Sequence, residues 1–203
     1  MTAKGVDSSV RYFAHSEVRE SQSDMIEDGI ESLLSEGSLM ALAPTGIGKT
    51  AAALASAISV QRASSDNLKI LFLTSRQSQH RIVVDTVQKI NQKLGQTEPS
   101  IKLVDLIGRE GMCQNVDRMS GKCDCEDDLD GSIRDELRAD MQANILLKPT
   151  HVDDLIQNSR RINLCAWATA REAVKSCNIL VCDYNHVFID SVREASLPSI
   201  GVD

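Results

Sequence analysis

The segment Ala43-Pro44-Thr45-Gly46-Ile47-Gly48-Lys49-Thr50 constrains this chain more than any other stretch. An apolar run at 39–43 precedes it and an alanine-rich run at 50–62 follows it, so the order reads as buried strand, glycine turn and helix. That order is the setting in which such a turn binds phosphate. Gly46 and Gly48 free the backbone to aim successive N–H groups at phosphate oxygens, and the positive end of the following helix points at the same place. Lys49 is placed to reach the β- and γ-phosphates of ATP, and the Thr50 hydroxyl to ligate Mg²⁺. These two are the expected catalytic residues, with the whole of 43–50 as the nucleotide cradle. Ala43 stands where the strict pattern has glycine.

The remaining elements alternate. Near-helical spacing of Met25, Ile26, Ile30, Leu33 and Leu34 predicts a helix over 16–34. Residues 69–74 read as a second strand, 78–94 as a helix with Ile82, Val83, Val87 and Ile90 on one face, and 101–107 as a third strand. From 108 to about 163 apolar periodicity weakens and cysteines and acids appear, as in an insertion with little core of its own. Helix returns at 164–175, and 178–182 is again an apolar strand. Strands and helices in this order argue a parallel α/β sheet.

Aromatic residues make up only 3% of the chain, so the core must be aliphatic. The first ten residues are polar, and the longest small-apolar run, 51–60, is about half of the roughly 20 residues that span a bilayer. A soluble, cytoplasmic protein without a membrane partner is expected, nuclear if the source is eukaryotic. Net charge is −7; within 122–140 eight acids stand against three bases, and the remainder is still not basic. Bulk charge therefore lends no support to nucleic-acid binding. Asp183 ends an apolar strand but is followed by Tyr184, so no general base sits beside it. A chain of this kind binds ATP and hydrolyses it poorly.

Several segments together resemble the iron–sulfur DNA helicases of superfamily 2, the XPD/DinG group, and its XPD-like archaeal members in particular. Arg19-Glu20-Ser21-Gln22 is similar to the family's segment ahead of the phosphate loop, which implies that Gln22 lies near the adenine. The loop at 43–50 resembles motif I. Residues 71–80 are similar to motif Ia, which implies that Thr74, Ser75, Arg76, Gln79 and His80 lie along single-stranded DNA. Residues 108–113 look like the segment delivering the first cluster cysteine, and 164–167 with 178–188 like the last cysteine and the strand leading to motif II. The resemblance covers about 12–190. It implies a RecA-like P-loop NTPase parallel sheet, incomplete here, carrying an iron–sulfur insertion. Residues 1–107 would begin motor domain 1, 108–170 form the insertion, and 171–203 return to the motor before its D-E-A-H motif. The implied activity is ATP-dependent 5′→3′ unwinding by a monomer on single-stranded and forked DNA, in DNA repair. The fragment itself would be nearly inactive.

Four thiolates from separated segments suit either a 4Fe-4S cluster or tetrahedral zinc. The resemblance places the outer ligands at Cys113 and Cys165 and favours the cluster; Cys123 and Cys125 are the natural middle pair, though only one residue separates them. Cys177 is a reserve candidate, and Cys182, in an apolar strand, an inert small hydrophobe. Glu126, Asp128, Asp130 and Gly131 mimic the start of a calcium loop, but Leu137 stands where calcium needs glutamate, so the acidic stretch reads as a solvated face. Arg76, His80 and Arg81 can meet DNA phosphates, Arg109 either DNA or the cluster. Trp167 reads as packing near the cysteines, and His151 and His186 as surface or core residues. Two other classes fit the same residues: a stand-alone metal-containing nucleic-acid-binding module with a non-hydrolysing P-loop, and a small-molecule ATPase or kinase.

Overall fold

A computed structural model of the chain describes residues 11–196 and 198, apart from 114, 118 and 121. The polar residues 1–10 and the end of the third expected segment lie outside the described residues. The chain divides into two compact units, 1–70 with 85–100 and 71–84 with 101–203.

The first unit is built on two helices, α1 (Glu20–Leu34) and α2 (Lys49–Ala63). Helix α1 starts at Glu20, later than the periodicity predicts, because the Arg19 amide donates to Gln22 Oε1 at 2.9 Å and closes the helix N-terminus there. Ile26 and Ile30 pack with Phe13 against Ala51, Ala52 and Ala55 of α2. Small residues let the helices approach closely: Ser56 Oγ reaches the Ile26 carbonyl at 3.2 Å, and a Cβ on Gly29 would meet that hydroxyl at 2.6 Å.

Residues 39–43 are a correction. The apolar run predicts a buried strand, but the segment is irregular, with Met40 98% and Leu42 103% exposed. A strand exists through its ladder, and among the described residues no backbone partner lies beside this run. Apolar character alone does not supply one.

The second unit holds a three-stranded parallel sheet of β1 (Ile70–Thr74), β2 (Leu103–Asp105) and β3 (Ile179–Asp183), in the order β1-β3-β2. Leu103, Val104 and Asp105 register with Ile179, Leu180 and Val181. Between β1 and β2 in sequence runs α3 (Gln77–Leu94), whose residues 85–94 count with the first unit. Its buried residues Val83, Val87, Ile90 and Leu94 follow helical spacing, whereas Ile82, expected on that face, is 53% exposed. One residue is about 100° of rotation, enough to carry Ile82 off the stripe.

After β2 come α4 (Arg109–Met112), α5 (Gly131–Leu147), α6 (Val152–Arg160) and α7 (Ala166–Ala173), which runs into a short 3-10 turn at Val174–Ser176. After β3 come α8 (Asn185–Phe188) and α9 (Asp190–Ser196). The segment expected to lack a core shares one with the sheet. Met112, Ile145, Val152, Leu155, Ile156, Ala166 and Ala170 pack in one cluster with Val104, Leu180 and Cys182. Its periodicity is hidden because short helices present only two or three apolar residues each. Among the described residues, no helix is long and apolar enough to cross a membrane.

A buried carboxylate fastens these pieces. Asp105 is 1% exposed; its Oδ1 accepts from His80 Nδ1 of α3 at 2.5 Å and its Oδ2 from the Val152 amide of α6 at 2.9 Å. His151 Nε2 lies 3.8 Å from the same Oδ2. Asp105→Ala orphans a buried imidazole and a helix N-terminal amide, and is expected to cost about 3 kcal/mol in urea unfolding, with Asp105→Asn about half that. A loss below about 1 kcal/mol for the alanine variant would contradict this network.

Candidate functional site

In the first unit the glycine turn at 43–50 has the backbone its glycines permit. Gly46 and Gly48 have φ of 83° and 82°, in the left-handed region that other residues enter at a cost. Gly48 caps α2, so Lys49 and Thr50 begin the helix and its first amides face the loop. Pro44, Thr45 and Gly46 are exposed, and Ala43, Ile47, Gly48 and Thr50 half-buried. The Lys49 ammonium donates to the Ala43 and Pro44 carbonyls at 3.0 and 2.8 Å, which holds it over the loop. A glycine-rich turn, a helix N-terminus and an ammonium together are the chemistry of an anion cradle.

Gln22, expected near an adenine, has both ends of its amide engaged within the unit. It is 5% exposed, with Oε1 on the Arg19 amide and Nε2 donating to the Ile47 carbonyl at 2.5 Å. In this arrangement it clips α1 to the loop.

In the second unit, Thr74, Ser75, Arg76, Gln79 and His80 follow the carboxyl end of β1. Ser75, Arg76 and Gln79 are exposed, in a turn where the Gln79 amide donates to the Arg76 carbonyl at 2.9 Å. Thr74 is 3% exposed, its hydroxyl on that same carbonyl at 3.3 Å. His80, expected along the same path, is buried at 0% exposure, with Nδ1 on Asp105 and Nε2 3.7 Å from Asp183 Oδ1, so here its ring faces the protein. Arg81 stays exposed, with Nη2 3.0 Å from His151 Nδ1 and ion pairs to Asp153 and Asp154 at the surface. His186 is buried near Asp183 and His80, and burial lowers its pKa.

The cysteines converge. Sγ atoms of Cys113, Cys123 and Cys125 lie within 4.8 Å of one another, the Cys113–Cys125 pair at 3.0 Å. Cys113 follows α4, and an antiparallel bridge from Val116 holds Cys123. Cys165 is the N-cap of α7, its Sγ accepting from the Ala168 amide at 3.5 Å, and it stands outside the tight group of three. Arg109 donates to Cys123 Sγ at 3.5 Å and lies 4.8 Å over the Trp167 ring, whose centroid is 5.0 Å from Arg171. Cys177 and Cys182 are buried in the aliphatic core, and burial pushes the Cys182 thiol up to about 12.

The electrostatics describe a donor set short of positive charge. Burial works to raise the Cys123 thiol, but hydrogen bonding from Arg109 and from the other two cysteines outweighs it and lowers its pKa. Burial and the two neighbouring thiols raise Cys125 far above its ordinary range. Burial, with the charges of Cys123, Cys113 and Glu126, pushes Cys165 to about 11. Thiols this close cannot all ionise beside one guanidinium, and a bound cation is what resolves such a set. Soft thiolate ligands select zinc or iron–sulfur. Beside them a cleft of about 160 Å³, lined by Cys113, Cys125, Asn115, Ser159 and Arg160, leaves room for a group. The residues fit a metal or cluster.

Three residues here escape sequence reasoning. Asp105 looks like any strand end. Glu126 and Arg138 look like solvated charges, yet they pair with each other, and Glu126 Oε1 accepts the Cys165 amide at 2.9 Å. No local pattern marks a contact across 39 residues; adjacency to Cys125 was the one available hint. Asp130, also in the acidic stretch, caps α5 through the Ser132 amide at 3.0 Å.

Against known proteins, the family model DEAD_2 matches residues 49–201. No curated protein matches the chain. Among solved structures it is similar to one named XPD helicase, with a TM-score of 0.61 and 17% identity over 89% of this chain and 30% of that one. Another, named truncated XPD, gives a TM-score of 0.56 and 18% identity over 88% of this chain and 47% of that one. The chain thus spans less than half the length of either, and at these identities the likeness is one of fold.

Gly46 and Gly48 separate two effects. A Cβ on Gly46 meets nothing within 4 Å, whereas one on Gly48 would meet Gln22 Nε2 at 2.6 Å. In thermal melts Gly46→Ala is expected to cost about 1 kcal/mol from left-handed strain alone, and Gly48→Ala about 2 kcal/mol because the Gln22 clip is lost as well. Adding Gln22→Ala should then cost Gly48→Ala less than it costs wild type, since only the Arg19 cap is left to lose. Equal losses for the two glycines would argue against the clip.

Proposed function

We propose, from the premise that this chain belongs to the DEAD_2 family, that it supplies the ATP-binding loop, a DNA-strand contact and the metal-bearing insertion of an ATP-dependent DNA helicase. The family carries the helicase and ATPase class; the assignments to residues are our reading. The observation that supports it best is the left-handed glycine pair over the start of α2 with the Lys49 ammonium above the loop.

In this reading Lys49 turns from the Ala43 and Pro44 carbonyls to the β- and γ-phosphates, and backbone amides of 45–50 bind the phosphate oxygens. Thr50 presents its hydroxyl to Mg²⁺. Ser75, Arg76 and Gln79, exposed after β1, hold the backbone of single-stranded or forked DNA, and Thr74 steadies their turn through the Arg76 carbonyl. His80, buried on Asp105, sets where that turn leaves the sheet. Cys113, Cys123, Cys125 and Cys165 hold a 4Fe-4S cluster, with Arg109 compensating thiolate charge. When bound, the cluster cross-links segments far apart in sequence and stiffens the insertion as a wedge against duplex. The polarity is 5′→3′, the protein acts as a monomer in DNA repair, and it resides in the cytoplasm, or in the nucleus of a eukaryote.

In the full-length protein, Lys49→Ala is expected to lower DNA-stimulated ATPase activity by at least about 100-fold, since a charge clamp on the transferring phosphoryl is lost. Metal content should not change. An active Lys49→Ala variant would refute the role given to the loop, and the module reading gains if wild type binds DNA without any turnover.

Protein purified without oxygen should be brown, with iron and inorganic sulfide each near about four per chain, as four thiolate ligands imply. Colourless protein carrying one zinc would refute the cluster and leave the helicase assignment standing.

A further inference from the structure

We propose that Glu126 is a positioning residue of the cysteine site, the hydrogen-bonded contact that ties the amide of the fourth cysteine to the loop carrying the other three. The inference rests on the reading of Cys113, Cys123, Cys125 and Cys165 as ligands.

Cys113, Cys123 and Cys125 lie close together without help, since the chain between them is short and Val116 pairs with Cys123. Cys165 comes from 40 residues beyond Cys125, at the N-terminus of α7. Its placement needs a link between the ligand loop and that helix. Glu126, next in sequence to Cys125, provides it. One carboxylate oxygen accepts the Cys165 amide at 2.9 Å, and the other pairs with Arg138 of α5. Helix α5 packs on α7, so the carboxylate is gripped by two helices that already touch.

The charge suits its position. A carboxylate at a helix N-terminus satisfies an amide that has no partner within the helix and meets the positive end of its dipole. With side-chain exposures of 16% for Glu126 and 26% for Arg138, neither is the solvated charge that the acidic stretch suggests. Their pairing is partly shielded from water, so solvent screens it less than it screens a fully exposed pair. Removing the carboxylate leaves the Cys165 amide and the Arg138 guanidinium unsatisfied together. The Cys165 backbone is then free to shift, and its thiol with it.

The test uses the full-length protein as wild type, Glu126→Ala, Glu126→Gln and Arg138→Ala. Two quantities are read: metal retention against a chelator with the visible spectrum of the loaded site, and the rate of iodoacetamide alkylation at Cys165 in metal-free protein, followed by mass spectrometry. Glu126→Ala is expected to weaken metal retention about 10- to 100-fold, the usual effect of losing an outer partner of a ligand. It should also speed alkylation of Cys165 while leaving the core Cys182 unmodified. Glu126→Gln keeps an oxygen for the Cys165 amide and should stay within about threefold of wild type in metal retention. Because both variants lose the same charge, the faster alkylation of Glu126→Ala than of Glu126→Gln is what reports on position. Arg138→Ala removes the second grip and should fall between the two.

A Glu126→Ala protein with wild-type metal retention and wild-type Cys165 reactivity overturns the proposal. If that variant does not fold, Arg138→Ala decides, and an unchanged spectrum and alkylation rate there overturn it equally. Wild type that holds no metal overturns the ligand reading instead, while the alkylation contrast still reports on the Glu126–Cys165 contact.

Discussion

The second unit is organised around a single buried carboxylate. Asp105 ends β2, a strand of three residues, and at 1% exposure it must find all its partners inside the protein. It finds them on two elements at once, His80 of α3 and the Val152 amide of α6. Both lie at the carboxyl end of the sheet, where parallel strands release their chains together and where ligands of open α/β folds gather. Thr74 and Asp183 end β1 and β3 at that same edge, the Tyr184 amide donating to the Thr74 carbonyl at 3.2 Å. The turn that exposes Ser75, Arg76 and Gln79 therefore leaves an anchored platform. A buried carboxylate with two donors is costly to rearrange, and that cost is what gives such a turn a defined direction.

How legible this was depended on the range of the physics involved. The geometry of the glycine turn at 43–50 could be read because everything it needs is local: two glycines, a lysine and a helix start within eight residues. Strands β1 and β3 and helices α2 and α3 were recoverable from apolar runs and periodicity, to within a residue or two at their ends. Residues 39–43 had the same apolar signature as β3 and did not become a strand, since composition carries no information about a ladder partner. His80 was read as a phosphate contact because a histidine in an exposed turn and one in the first turn of the helix after it look alike in sequence. Its neighbours Ser75, Arg76 and Gln79 stayed exposed, and only the long-range partner Asp105 distinguishes it. The four cysteines stood out by type, but their grouping into three and one follows from the bridge at Cys123 and the contact of Glu126, both formed between distant residues.

Both candidate sites keep their charged groups occupied by the protein's own atoms, which bears on how they would accept a ligand. The Lys49 ammonium rests on two neutral carbonyls. Phosphate oxygens carry full charge and make stronger hydrogen bonds to an ammonium than carbonyls do, so exchange toward phosphate runs downhill without unfolding the loop. At the cysteines Arg109 plays the corresponding part, donating to Cys123 and lying over Trp167. Against the effect of burial, hydrogen bonding from that guanidinium lowers the Cys123 thiol, while burial and the neighbouring thiols raise Cys125 and Cys165, which favours their protonated forms. A metal entering such a set must displace those protons, so its affinity rises with pH until the thiols ionise unaided. The same crowding that resists ionisation of the empty set brings the donors within coordinating reach.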